Sequence, residues 1–201
     1  MFWIKHLNYE KADGRLKKVY DRVSGPDKNI DNILMVHSLR PHTLIGHMAL
    51  YKNVLHNGNN KLPKWYLESI GVYVSHLNNC SYCVRHHFEG LKRIWNDQAK
   101  SAKFKFAMEN KDLKSFFDDK LYAGMLYAGK LTNAPDQMKE IDVLQLKELS
   151  YSDGEILEIN QVVSYFNYAN RTVLGLGVNT AGDILGLSPN DDTDPDNWSH
   201  E

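Results

Sequence analysis

A chain of 201 residues with 24 basic and 25 acidic side chains, net charge −1, has no electrostatic excess to hold it to a nucleic acid or an anionic membrane surface. Its 42% hydrophobic content can fill a core without covalent staples, which leaves the two cysteines free for chemistry. No apolar run approaches the ~20 residues of a bilayer span, and residues 1–15 lack a signal-peptide layout, so a cytoplasmic location is expected.

Helical spacing then follows in chain order. Ala12, Leu16, Val19, Tyr20 and Val23 share one face of a first helix, which Gly25-Pro26 stops. A second segment is predicted from Asp31 to Leu39, ending before Pro41, and a third over about 42–56. After the turn-forming stretch HNGNNK (56–61), Pro63 suits the first turn of a helix. Leu67, Ile70, Val74 and Leu77 repeat along that helix, and Tyr66 and Tyr73 widen its apolar face. Asn78-Asn79 either interrupts it or caps the next, which carries Cys80, Cys83, His87, Leu91 and Ile94 on one face. Further helices are predicted over 98–108 and 113–131, with lysine-rich solvated faces at 100–105 and 111–114. Ser152 and Glu155 have the spacing of a capping box opening a helix to about Tyr168. Strand-type alternation is absent, so the fold class is all-α, a helical bundle.

One internal echo bears on organisation. VSHLNN (74–79) and VSYFNY (163–168) match at Val, Ser and Asn, and Leu67, Ile70, Tyr73 and Val74 fall opposite Ile156, Ile159, Val162 and Val163. This predicts two copies of a helical unit, about 41–95 and 121–180, within one domain spanning 1–187. Ala169 and Thr172 stand where the first copy has Cys80 and Cys83. Residues 188–201, acidic and rich in Pro and Asn, read as a solvated tail.

The chemistry concentrates in one stretch. At about 100° per residue, Cys80, Cys83 and His87 fall within a sector of about 60° on one helix. A cysteine near a helix N-terminus gains thiolate character, and a histidine one turn later can take its proton. Glu68, the sole acid between Asp31 and Glu89, is the natural carboxylate to orient that histidine. Two thiols at this spacing can attack a peroxide, form a sulfenic acid and condense to a disulfide, which an external dithiol then reduces. Zinc is the rival use, with Cys80, Cys83, His87 and either His76 or His86 as ligands. Structural zinc sites draw on a second, distant pair that this chain lacks, so neither metal nor cofactor is expected. His37, His42, His47 and His56 read as structural or exposed, and His86 as a surface residue turned about 100° from His87. Tyr66, Tyr73, Tyr82, Tyr165 and Phe166 read as core or the wall of an apolar pocket, and Asn167 and Arg171 as contacts between the two units.

The pattern Glu68–x11–Cys80–x2–Cys83–x3–His87, with LNNCSYCVRHH around it, resembles the alkylhydroperoxidase D / carboxymuconolactone decarboxylase family, in particular its peroxidase-related branch. The resemblance is strong over about 62–91 and looser from the third helix to Gly177, with FNYANR (166–171) similar to the family's second-repeat helix. It implies a duplicated all-helical fold, assembly into homo-oligomers, and a relay in which Glu68 and His87 activate the dithiol. By similarity Cys83 is the attacking thiol, and Cys80 the resolving one, exposed to the reductant. Alkylhydroperoxidase D itself has a histidine between its cysteines where this chain has Tyr82, so a second relay histidine falls to His76 or His86. The function expected is reduction of organic hydroperoxides at the expense of an external dithiol. The alternatives are a lactone-processing or decarboxylating enzyme of the same family and a non-enzymatic redox sensor.

Overall fold

The computed structural model describes residues 2–200. Nine α-helices occur among them: α1 Gly14–Val23, α2 Asn32–Met35, α3 Pro41–Leu55, α4 Lys64–Leu77, α5 Ser81–Trp95, α6 Gln98–Glu109, α7 Asp119–Asn133, α8 Glu140–Glu148 and α9 Asp153–Leu176. Among the described residues there is no strand, only an isolated bridge between Pro189 and His200. Among the described residues no helix is long and apolar enough to cross a membrane.

The bundle is organised around α4. A helix apolar on nearly every side must be covered on every side, and α4 buries Tyr66, Leu67, Ile70, Val72 and Val74 beneath α5, α7 and α9. Gly71 lets α9 approach closely, since a methyl group there would overlap the Phe166 ring. The matched segments meet at this contact: Asn78 Nδ2 donates to Asn167 Oδ1 at 3.0 Å.

Local signals explain most boundaries. Ser152 Oγ accepts from the Glu155 amide and the Glu155 carboxylate accepts from the Ser152 amide, the reciprocal cap expected of that pair. The helix it opens runs past Tyr168 to Leu176, where Gly177 ends it in the left-handed region at φ 65°. Asn170 interrupts the apolar pattern in that stretch but is fully buried and hydrogen-bonded, so nothing stops the helix there. The segment predicted over 113–131 divides, because the Asp118 carboxylate accepts from the Leu121 amide and restarts the chain as α7. Only residues 32–35 of the predicted second segment are α-helical, with turns after them. The short α8, which buries Leu146 alone, carries no clear periodicity and was not anticipated.

The C-terminal segment corrects the expectation of a solvated tail. Trp198 and His200 are buried, and the acidic residues meet basic partners on distant helices. Lys52, fully buried on α3, donates to Asp192 Oδ1 at 2.7 Å and to the Asn190 carbonyl at 2.6 Å. Lys64 reaches Asp191 at 2.6 Å, and the Arg22 guanidinium lies over the Trp198 ring at 3.8 Å. Composition alone marks such a segment as soluble; these scattered cations hold it against the bundle.

Candidate active site

Helix α4 ends at Leu77 with Asn78 as its C-cap, and Asn79 takes a left-handed conformation, φ 55°, that turns the chain sharply. The Asn pair therefore interrupts the helix, and Cys80 itself is the N-cap residue of α5. Cys83 follows on the first turn, so the two sulfurs lie 2.8 Å apart as free thiols. With Val36, Tyr82, Val173 and Val178 they form a small apolar cluster separate from the main core.

One turn beyond Cys83, His87 Nδ1 meets Glu68 Oε2 at 2.9 Å. The pair predicted from spacing is thus assembled by the packing of α4 on α5. Tyr51 and Phe166 stand edge-on to the imidazole, fixing its plane. Glu68 has a second neighbour that the sequence reading missed. His56 Nε2 lies 3.6 Å from its other oxygen, an ion-pair distance too long for a hydrogen bond, while His56 Nδ1 reaches Asp191 at 3.2 Å. Burial pushes the Glu68 carboxyl up, but the charge and hydrogen bond of His87, aided by His56 and Lys64, outweigh it and hold the group below its usual range. Burial drives His56 the other way, toward its neutral form.

A cavity of about 40 Å³ joins these groups. Cys83, Glu68, His87, Tyr51, His47 and Tyr165 all line it, and Gly186, Leu187, Ser188 and His200 of the C-terminal segment close it. On this measure a water needs about 10–15 Å³, so the space holds about three water-sized groups. No hydrogen bond joins His87 to either sulfur, and a proton passing between them crosses the cavity.

The two thiols differ in environment. Cys80 is 0% exposed and Cys83 3%. The exposed, reductant-facing Cys80 expected by resemblance is therefore corrected: it is buried at the floor of an open hollow lined by Trp3, Val173, Leu174 and Val178. The Cys83 S–H holds the Cys80 thiol below its ordinary range despite burial, helped by backbone N–H groups at the helix start and by Asn170. Burial, reinforced by the facing Cys80 sulfur, pushes Cys83 well above that range. Negative charge on the pair therefore rests first on Cys80, while Cys83 is the thiol at the cavity.

The other predicted residues separate. His86 is buried, contrary to its reading as a surface residue, because the C-terminal segment covers that face of α5. Its Nε2 lies 3.0 Å from Asp183 Oδ2, which also accepts from the Tyr82 hydroxyl at 2.7 Å. Asp31 completes this group, its donor atom within 4.8 Å of those of His86 and Asp183. Burial pushes the Asp31 carboxyl up to about 7; His86 pulls against this and Asp183 adds to it. His76 lies elsewhere, in a hollow with Tyr73, Leu77 and Met108. Tyr66 is core, bonded to the Leu121 carbonyl, whereas Tyr165 is cavity wall. Arg171 bonds back to Asn167 on its own helix and so links no units. Asp31, Asp183, His56 and Asn170 escaped the sequence reading. For Asn170 a signal existed, an amide on the apolar face of α9 beside Ala169.

No protein-family profile matches the sequence, and no curated protein matches it. The architecture does match: it is the helical fold of the alkylhydroperoxidase D core. A peroxidase-related protein of uncharacterised function from Ralstonia eutropha JMP134, described as an alkylhydroperoxidase AhpD core, superposes with a TM-score of 0.76 at 19% identity, over 89% of this chain and 92% of that one. A second such protein, from Silicibacter sp. TM1040, gives 0.72 at 23% identity over 88% and 92%. The debrominase Bmp8, in complex with 2,3,4-tribromopyrrole, gives 0.70 at 15% identity over 88% and 90%.

Proposed function

We propose that the chain is a dithiol oxidoreductase of the alkylhydroperoxidase kind that reduces small hydroperoxides at Cys83. The observation that carries this reading is the meeting, on one small cavity, of Cys83 and the His87–Glu68 pair, with the second thiol of Cys80 2.8 Å from the first. Burial disfavours a thiolate at Cys83, so the proton must be removed as the substrate arrives. His87, oriented by Glu68, takes it through the substrate or one water. The Cys83 sulfur then attacks the terminal peroxide oxygen, the O–O bond breaks, and the returned proton leaves with the alcohol or water. Cys83 is now a sulfenic acid. Cys80 attacks that sulfur, water departs and a disulfide forms. An external dithiol supplies two electrons and two protons to restore the thiols. The reductant would approach from the open hollow that Trp3, Val173 and Val178 line beside Cys80. The family's homo-oligomeric assembly belongs to the same proposal.

Size refines the substrate class. Space for about three water-sized groups accommodates hydrogen peroxide but not a bulky organic hydroperoxide, unless residues 186–188 move. The test is peroxide consumption with excess dithiol reductant, comparing hydrogen peroxide with cumene hydroperoxide and the wild type with Cys83→Ser. Sustained turnover of the smaller peroxide, absent in Cys83→Ser, is expected; a single stoichiometric oxidation under every reductant overturns the enzyme and favours a sensor.

A second reading draws on the debrominase fold and on Tyr51 and Tyr165, stacked 5.3 Å apart along the cavity, and a bromopyrrole, like a bulky hydroperoxide, enters it only when residues 186–188 move. Reductive debromination uses the same two electrons: bromide leaves, the carbon gains hydrogen and the thiols become a disulfide. Bromide release from 2,3,4-tribromopyrrole without peroxide turnover would select it.

A further inference from the structure

Three segments far apart in the chain converge at His86, beside the Cys83 cavity: the residue before α2, the middle of α5, and the stretch after α9. From them we propose that Asp31, His86 and Asp183 bind a divalent transition-metal cation of the zinc type, in a site that opens on the Cys83 cavity. The function proposed above does not use this site.

The geometry suits an ion. One donor atom from each residue lies within 4.8 Å of the other two. His86 Nε2 and Asp183 Oδ2 are 3.0 Å apart, near the ~3.3 Å edge of a tetrahedron built on bonds of about 2.0 Å. Imidazole with carboxylates is a donor set that zinc and its first-row neighbours accept.

An independent observation lies in the polar accounting. Asp31 is nine-tenths buried, and its Oδ1 has no hydrogen-bond partner. Buried carboxylate oxygens are otherwise almost always satisfied. Nor does a fixed positive charge answer the two acids. Arg85 is bonded to Thr180 and Arg93 to the carbonyls of Leu185 and Gly186, and no lysine or arginine among the described residues pairs with Asp31 or Asp183. His86 alone offers at most one charge against two. A divalent cation would supply both the absent charge and a partner for Asp31.

The outer contacts hold these ligands in place. Asp183 Oδ1 accepts from the Asn32 amide at 3.1 Å and its Oδ2 from the Tyr82 hydroxyl at 2.7 Å, fixing the carboxylate without occupying every lone pair. Asp31 and His86 both line the cavity, which leaves a coordination position for solvent or a small ligand. Three protein ligands and one open position are the arrangement of reactive zinc sites, whereas structural sites are closed by four.

The experiment uses the reduced full-length chain, freed of metal by chelation and titrated separately with Zn²⁺ and Co²⁺. Calorimetry and elemental analysis after desalting give stoichiometry, and the Co²⁺ spectrum identifies the donors. One equivalent is expected, with d–d bands, no sulfur-to-cobalt charge transfer, and a raised melting temperature. Asp31→Asn, which preserves shape, should weaken binding by at least about 10-fold, as should His86→Gln. The Cys80→Ser/Cys83→Ser double variant should bind as wild type. Circular dichroism checks folding, and Asp31→Asn reads the site alone should His86→Gln unfold. Absence of binding up to millimolar metal overturns the site. So does thiolate charge transfer that disappears with the cysteines, or binding that survives Asp31→Asn.

Discussion

His86 and His87 are neighbours on α5, and each ends in a buried carboxylate pair of nearly the same length, 3.0 Å to Asp183 and 2.9 Å to Glu68. The pairs differ in what holds them. Glu68 sits inside α4, in the most enclosed part of the bundle, and a chain of contacts through His56 and Asp191 to Lys64 supplies countercharge. Asp183 comes from an irregular segment and answers to His86, Tyr82 and one backbone amide. The first pair is built into the scaffold and lies on the thiol cavity. The second fastens the covering segment to the scaffold. His47 provides the contrast: it is buried on the same cavity with no carboxylate, its Nδ1 unpartnered and its Nε2 3.4 Å from the Tyr165 hydroxyl.

Breaking the covering pair should have the largest effect on stability. Asp183→Ala removes three hydrogen bonds and leaves His86 and Tyr82 buried without their acceptor, at a cost of about 3 kcal/mol in denaturant unfolding with chelator present. Residues 184–200 should then become susceptible to limited proteolysis before the helices do. An intact segment in that variant would mean that the Lys52 and Lys64 contacts suffice alone.

Glu68→Gln tests the scaffold pair. It keeps shape but removes the charge that orients and supports His87, so the rate of thiol oxidation by peroxide should fall about 10²-fold, or about 2.7 kcal/mol in barrier. A rate unchanged in stopped-flow measurements would remove Glu68 from the relay.

His47 should report what a histidine costs without a carboxylate. Burial, with His37, His200 and His87 adding to it, depresses its folded pKa from 6.5 to about 3. The neutral form is the native one, so its full contribution is present above pH 6.5 and is lost as pH falls from there toward 3. Between pH 6.5 and 5 this amounts to about 2 kcal/mol, a slope that His47→Gln should flatten in melting curves taken across that range.

The smallest effect belongs to the thiol pair. Cys83→Ala removes the S–H donor that does most to lower Cys80, so the Cys80 pKa should rise toward the ordinary thiol value, read by thiolate absorbance against pH. A pKa that stays low would assign the effect to the helix start instead.

The same two pairs explain how much of the site was legible. Glu68 and His87 occupy consecutive helices joined by a three-residue break, so helical spacing with one tight turn nearly determines their meeting. The C-x-x-C pair is closer still, within one turn. The burial of His86 is not legible locally because its partner lies 97 residues away, in an irregular stretch after α9. Its exposure depends on that cover and on nothing local. His56 reads in the sequence as structural or exposed, yet Asp191 and Glu68, both distant in the chain, flank it.

The all-helical character, the cap at Ser152, the apolar surface of α4 and the facing of Cys80, Cys83 and His87 are properties of short-range periodicity and backbone satisfaction, and the amino-acid sequence determined them unaided. The tertiary structure alone decided that both sulfurs are buried, that the cavity is small, and that Asp31, His86 and Asp183 share one place. Those features arise where segments distant in the chain meet, and they depend on charge partners and packing volume that no local pattern records.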